Sequence, residues 1–186
     1  TSHAQAELLI EAAKAHKVWL FTEIDPTPAA KYVIQENGTY KKETFIQDFD
    51  DGVRDTTTKE GLAKLRAVFA VNGSVTAGNS SQTTDGAAAT MIASGEAVKK
   101  YGLKPIAKLK MYTTVGCEPD EMGVGPAVAI PKLLDLANLK TSDIGLWEIN
   151  EAFASQALYS IRTIGIEDQM DRININGGAI ALGHPL

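Results

Sequence analysis

The sequence has little that would support several broad function classes. It carries one cysteine, Cys117, so an internal disulfide framework and a thiolate metal cluster are both excluded, and a reducing compartment is the expectation. Its three histidines, His3, His16 and His184, are too scattered to suggest a metal site. No Lys/Arg run stands out, and 18 basic against 23 acidic residues leave a formal charge of −5, which argues against nucleic acid as a partner. No apolar stretch approaches the roughly 20 residues that a membrane-spanning helix needs. The N-terminus also lacks the basic and apolar regions of a signal peptide. A soluble intracellular protein is therefore expected. Both ends read as cut, because the chain opens on a helix start without Met and stops inside a glycine-rich turn at Gly183-His184-Pro185-Leu186.

What is present is ordinary for a globular chain: 186 residues, 44% hydrophobic and 22% charged, enough for one sizeable core or two small ones. Ser2 with Gln5 three residues later reads as a capping box, and Leu8, Leu9, Ala12, Ala13 and His16 recur at helical spacing to about Lys17, so an amphipathic helix is expected there. Residues 26–55 read as loops and weak strands, with Tyr32-Val33-Ile34 the most β-favouring piece. A helix is expected over Glu60–Val71, with Leu62, Leu65, Val68 and Phe69 on one side. Another covers Gly95–Tyr101 and stops at Gly102. Ile106–Tyr112 alternates apolar and basic residues as a half-buried strand does. Gly125-Pro126 opens a helix to about Ala137, with Pro131 bending it or delaying its start. Ile144–Ile149 is a short apolar strand ending at Asn150, and the next helix carries Phe153, Ala157, Ile161 and Ile164 before stopping at Gly165. The alternation argues for an α/β architecture in which helices cover a sheet. Ligands in such sheets sit beyond the carboxyl ends of strands, where Asn150 and the residues after Asn176 fall.

Three segments go beyond globular pattern: Val75-Thr-Ala-Gly-Asn79-Ser-Ser81-Gln-Thr-Thr-Asp85-Gly86, Asn150-Glu-Ala-Phe153-Ala154, and Asn176-Gly-Gly-Ala-Ile-Ala-Leu-Gly-His184-Pro185. With Glu118-Pro-Asp-Glu-Met122-Gly-Val-Gly-Pro126 between them, they resemble the thiolase superfamily in order and spacing, over roughly residues 54–186. The resemblance implies a duplicated αβαβα fold only partly covered by this chain. Residues 1–70 would be the end of the excursion that covers coenzyme A, 71–115 the last part of the N-terminal half, and 116–186 the first part of the C-terminal half. It also implies a buried strand at Gly86–Ala93, although the alanines there favour a helix.

The implied activity is that of a 3-ketoacyl-CoA thiolase: an acyltransferase that cleaves a 3-ketoacyl-CoA with coenzyme A, as in fatty acid β-oxidation. Such chemistry needs a nucleophile for the acyl group, a base, and donors to the thioester oxygen. Thiolases use two cysteines, and neither motif is in this chain. His184 matches the histidine that activates the nucleophile and donates to the thioester oxygen, tasks that suit an imidazole because it can take or give a proton near neutrality. Taken alone it would be a surface histidine on a turn. Asn150 matches the asparagine that holds a water in the other oxyanion hole; its other reading is an N-cap for a helix beginning at Glu151. Ser81 matches a contact to the pantetheine arm, and Arg54 a position at the nucleotide end, where a guanidinium suits a phosphate or adenine. Met122 and Phe153 match residues lining the acyl pocket and pantetheine tunnel, with plain core packing as the alternative. Cys117 lies in neither cysteine motif, and Glu118 beside it disfavours a thiolate, so it reads as incidental.

Asn150-Glu-Ala-Phe153 argues against a condensing ketoacyl synthase. Ala127-Val-Ala-Ile-Pro131 and Ala181-Leu-Gly-His-Pro-Leu186 lean towards the degradative rather than the biosynthetic acetoacetyl-CoA type. A further alternative is a non-catalytic acyl-CoA binding module, because both catalytic cysteines are absent from the chain. The resemblance implies no tightly bound cofactor, with coenzyme A as substrate, no metal, and a homodimer or tetramer. It places the protein in a bacterial cytoplasm, or in a peroxisome if the source is eukaryotic.

Overall fold

The computed structural model describes residues 26–185, so the helix expected over residues 2–17 lies outside them. Within the stretch read as loops and weak strands, the chain forms one regular antiparallel hairpin, β1 (Thr27–Ile34) and β2 (Tyr40–Gln47). The register pairs Thr27 with Gln47 and Ile34 with Tyr40. A short turn closes it: Gly38 takes a φ of +78°, and the Thr39 amide donates to Asn37 Oδ1 at 3.0 Å. Most of its side chains are exposed on both faces, which is why no clean alternation of apolar and polar residues announced it.

The helix expected over Glu60–Val71 is reduced to α1 (Lys59–Ala63), capped by Thr58, whose hydroxyl accepts from the Gly61 amide at 3.0 Å. Non-local bonding ends it. The Val68 amide donates to Val75 O at 2.9 Å, pulling the chain into a loop that turns at Asn72, φ +64°. Leu62 and Leu65 still find a common partner, since both close over Gly78.

The two strands expected at Gly86–Ala93 and Ile106–Tyr112 are not formed. Both stretches are irregular and largely exposed, with Met91 at 86% and Ile106 fully in solvent. The reason is pairing: a strand exists through hydrogen bonds to a neighbour, and no other segment among the described residues pairs with either stretch. Between them, α2 (Gly95–Tyr101) forms as expected. Ser94 caps its start by accepting from the Ala97 amide at 3.1 Å, and Gly102 ends it in the left-handed conformation.

The order that positions the site begins at residue 119. A 3-10 turn, Pro119–Val124, leads into α3 (Gly125–Ala137), which runs through Pro131 without a delayed start and ends at left-handed Asn138. Residues 144–149 are extended, but only one parallel bridge, Trp147 to Ile173, makes them strand-like. Then α4 (Ala154–Ile164) ends at left-handed Gly165, and a single turn, α5 (Ala179–Leu182), precedes Gly183. Because α4 begins at Ala154 with Phe153 at its N-cap, the reading of Asn150 as a cap for a helix starting at Glu151 is corrected.

Burial concentrates here. Trp147, Ile149, Ile161 and Ile166 form the core, with Ile130 and Leu134 of α3 and Leu158 and Ile164 of α4 packed against it. Two helices thus cover an extended segment, the local form of the α/β layering expected from the sequence. Ile166 is fully buried, immediately after the glycine that ends α4. Ile166→Ala should therefore destabilise the folded state by about 2–4 kcal/mol, read as a lowered urea midpoint at unchanged slope in the full-length protein.

Candidate functional site

The polar turn at residues 74–85 is held internally and then stitched to the start of α4. Asn79 organises it: its Oδ1 accepts from the Thr76 amide and its Nδ2 donates to Ser74 O, both at 2.8 Å. Ser80 Oγ donates to Thr76 O at 2.7 Å. Two backbone bonds then join this turn to the second motif, Ser81 N–H to Ala152 O at 3.0 Å and Ala154 N–H to Asn79 O at 2.9 Å. The third motif arrives from the other side, where the His184 amide donates to Gln82 O at 3.0 Å.

Gly183 makes that arrival possible. Its φ is +97°, and a Cβ there would collide with the Thr84 side chain. Thr84 Oγ1 is buried there without a hydrogen-bond partner among the described residues. A Cβ on Gly86 would likewise come within 2.7 Å of Pro185 Cγ, so the turns at 84–86 and 183–185 lie against one another.

This stitching brings Asn150 and His184 together. Asn150 Nδ2 and His184 Nε2 lie 3.1 Å apart across 34 residues of sequence. Which atom donates depends on the imidazole tautomer: Asn150 Nδ2 donates where Nε2 carries no proton, and where Nε2 is protonated the amide must turn over for its oxygen to accept. Asn150 is exposed and His184 half-buried, so the pair faces outward from the core.

The other residues singled out from the sequence are each placed by contacts of their own. Ser81 is half-buried, and its backbone N–H is bonded to Ala152 O, two residues after Asn150. Phe153 is half-buried and meets Phe69 edge to face, ring centroids 5.8 Å apart. Arg54 is exposed in a loop whose Gly52 abuts the side chain of Gln82, one residue from Ser81. Met122 is 75% exposed on the 3-10 turn before α3, and that turn packs on α4 through Gly123 and Gln156. Cys117 is exposed, with its Sγ 4.0 Å from Met122 O.

Two residues escaped the sequence reading. Glu151 is 7% exposed, and its carboxyl oxygens accept from Asn174 Nδ2 at 2.8 Å and from the Ile180 amide at 3.3 Å. Asn174 also spans Ile149, accepting from its amide at 2.7 Å and donating to its carbonyl at 2.8 Å. The available signal was polarity out of place, an amide between Ile173 and Ile175 and a carboxylate just after a core strand. Gly183→Ala should break the His184 amide bond to Gln82, seen as faster hydrogen exchange at residues 182–185 with the amides of α4 unchanged.

With this geometry in view, comparison with known proteins is specific. Residues 22–96 match the family described as thiolase, N-terminal domain, and residues 103–186 the one described as thiolase, C-terminal domain. The chain is 49% identical over 164 residues to a 3-ketoacyl-CoA thiolase of Bacillus subtilis, covering 88% of this chain and 41% of that protein. It is 50% identical over 159 residues to the peroxisomal 3-ketoacyl-CoA thiolase B of Rattus norvegicus, covering 86% and 37%. It therefore spans about two fifths of the length of these relatives. The crystal structure of human mitochondrial 3-ketoacyl-CoA thiolase superposes with a TM-score of 0.79 at 40% identity, over 99% of this chain and 44% of that one. The same human enzyme in complex with CoA gives 0.78 at 39% identity, over 98% and 43%. The dimeric peroxisomal thiolase of Saccharomyces cerevisiae gives 0.78 at 38% identity, over 100% and 45%. The expected fold class, a thiolase α/β fold only partly covered by the chain, is the one these superpositions show. The chain belongs to the thiolase family.

Proposed function

We propose that these residues are the histidine- and asparagine-bearing part of a 3-ketoacyl-CoA thiolase, an acetyl-CoA acyltransferase. The full protein would cleave a 3-ketoacyl-CoA with coenzyme A, giving acetyl-CoA and an acyl-CoA shortened by two carbons, in the degradative direction. The observation that carries this reading is the 3.1 Å approach of Asn150 to His184, supported by the backbone bonds of Ser81 to Ala152 and of His184 to Gln82. A polar amide and an imidazole side by side just after the extended segment 144–149 can serve two steps of acyl transfer. His184 takes the proton of the attacking thiol and presents an N–H to the thioester oxygen as charge builds there. Asn150 orients a water towards the second carbonyl oxygen.

Around that centre, Ser81 would meet the pantetheine arm and Arg54 the nucleotide end of coenzyme A, with Phe153 and Met122 along the apolar path between. Coenzyme A acts here as substrate, and no tightly bound cofactor is proposed. The two cysteines of the reaction would come from outside residues 1–186. The proposed division places residues 1–70 in the coenzyme-covering excursion, 71–115 in the N-terminal half and 116–186 in the C-terminal half. A homodimer is proposed by analogy with the dimeric yeast relative. The proposed compartment is the bacterial cytoplasm, or the peroxisome for a eukaryotic source, since the relatives include a bacterial protein and a peroxisomal one.

The test uses the full-length gene product with acetoacetyl-CoA and longer 3-ketoacyl-CoA substrates, following coenzyme A consumption. Thiolysis extending beyond the four-carbon substrate supports the degradative reading, whereas restriction to acetoacetyl-CoA would make it the biosynthetic type. His184→Ala should lower kcat/KM about 10²- to 10⁴-fold and Asn150→Ala about 10- to 10³-fold. Binding of acyl-CoA without any cleavage by the wild-type protein would replace the enzyme with a non-catalytic binding module.

A further inference from the structure

Glu151 sits next to Asn150 and has no part in the chemistry just described. Its burial needs a reason. Moving a carboxylate out of water is costly unless its oxygens are satisfied, and an apolar side chain would fill the same space without that cost. The carboxyl group of Glu151 lies beside an apolar cavity of about 420 Å³ bounded by Ile149, Ala157, Ile161 and Ile180. Both of its oxygens are used, one by Asn174 Nδ2 at 2.8 Å and the other by the Ile180 amide at 3.3 Å.

These two bonds reach different parts of the site. Asn174, held at a left-handed φ of +49°, brackets Ile149 through both its amide atoms, so it fixes the residue before Asn150 while Glu151 is the residue after it. Ile180 belongs to α5, four residues ahead of His184. Between these contacts, Gly178 lies so close to the carboxyl group that a Cβ there would collide with it. The carboxylate therefore spans from the strand end that carries Asn150 to the turn that carries His184.

We infer that Glu151 is a positioning residue: its buried carboxylate locks the glycine-rich turn at residues 177–184 to the strand end and sets the separation of Asn150 and His184. An acceptor with two free oxygens is needed because both partners are N–H donors. A glutamine in its place could accept from one of them, and its amide nitrogen would then face the other N–H. The group touches neither member of the pair directly; its effect passes through Ile149, Asn174 and Ile180.

The consequence for turnover rests on the thiolase reading, and the test separates the two. In the full-length protein, Glu151→Gln should raise hydrogen exchange at residues 178–184 by about tenfold or more while the α4 amides stay protected. It should also lower kcat for thiolysis about 10- to 100-fold, with KM for coenzyme A changed less than about twofold, as expected when reacting groups are misplaced without loss of binding. Unchanged exchange at residues 178–184 overturns the inference whatever the activity. A raised KM at unchanged kcat also overturns it, because Glu151 would then contribute to binding. If the wild-type protein proves inactive, the functional reading fails and the exchange measurement alone decides the role of Glu151. Should Glu151→Gln fail to fold, Glu151→Asp, which keeps both oxygens but shortens their reach by one methylene, is read by the same measurements with the same expectation.

Discussion

The joining of the extended segment 147–151 to residues 172–174 is the interaction on which the ordered part of the molecule depends. It begins as a backbone ladder, Trp147 N–H to Arg172 O at 2.9 Å and Asn174 N–H to Trp147 O at 2.8 Å. One residue later the ladder would stop, because left-handed Asn174 turns its backbone away. The side chain continues it instead, its amide pairing with both backbone groups of Ile149. A buried main-chain N–H and C=O are thus satisfied where no strand is available. The same amide hands on to Glu151, so a structural pairing becomes a support for the site.

The core then builds on that pairing. Trp147 and Ile149 point to the side covered by α3 and α4, where Ile161 and Ile166 complete the buried cluster. Trp147 keeps its indole N–H satisfied through Gln169 Oε1 at 3.1 Å, which lets a large aromatic side chain sit 93% buried without an orphaned donor. The hairpin of β1 and β2 is held by its own ladder and carries Tyr32, Ile34, Tyr40 and Ile46 in solvent. Large apolar side chains also stand exposed along 91–92 and 106–112. The described residues thus bury apolar surface well around α4 and poorly elsewhere, consistent with a chain that spans about two fifths of its relatives' length.

Much of the helical content and part of the site were legible in the residues. Gly102 ends α2 and Gly165 ends α4, because caps are local chemistry that a short window of sequence contains. The motifs around Ser81, Asn150, Phe153 and His184 were legible as motifs. What was not legible was the role of Glu151 and Asn174, since nothing in Ile149-Asn-Glu151 or Ile173-Asn-Ile175 says which polar group turns inward. The start of α4 was misplaced by three residues for a similar reason: the chain from Asn150 to Phe153 stays non-helical where the Ala152 carbonyl is bonded by Ser81 and the Ala154 amide by Asn79.

From sequence alone came the family, the helix ends that Gly102 and Gly165 mark, the single cysteine and the presence of a histidine motif and an asparagine motif in one chain. All of these are properties of residues near one another in the chain, or of a pattern compared as a whole. The tertiary structure decided which β-favouring segments become strands, and it brought Asn150 within 3.1 Å of His184. It also set a carboxylate between the segments that hold them. Those outcomes depend on hydrogen-bond partners 23 to 34 residues apart. A strand without a partner is only an extended chain, and the separation of two side chains is a property of the packing between them.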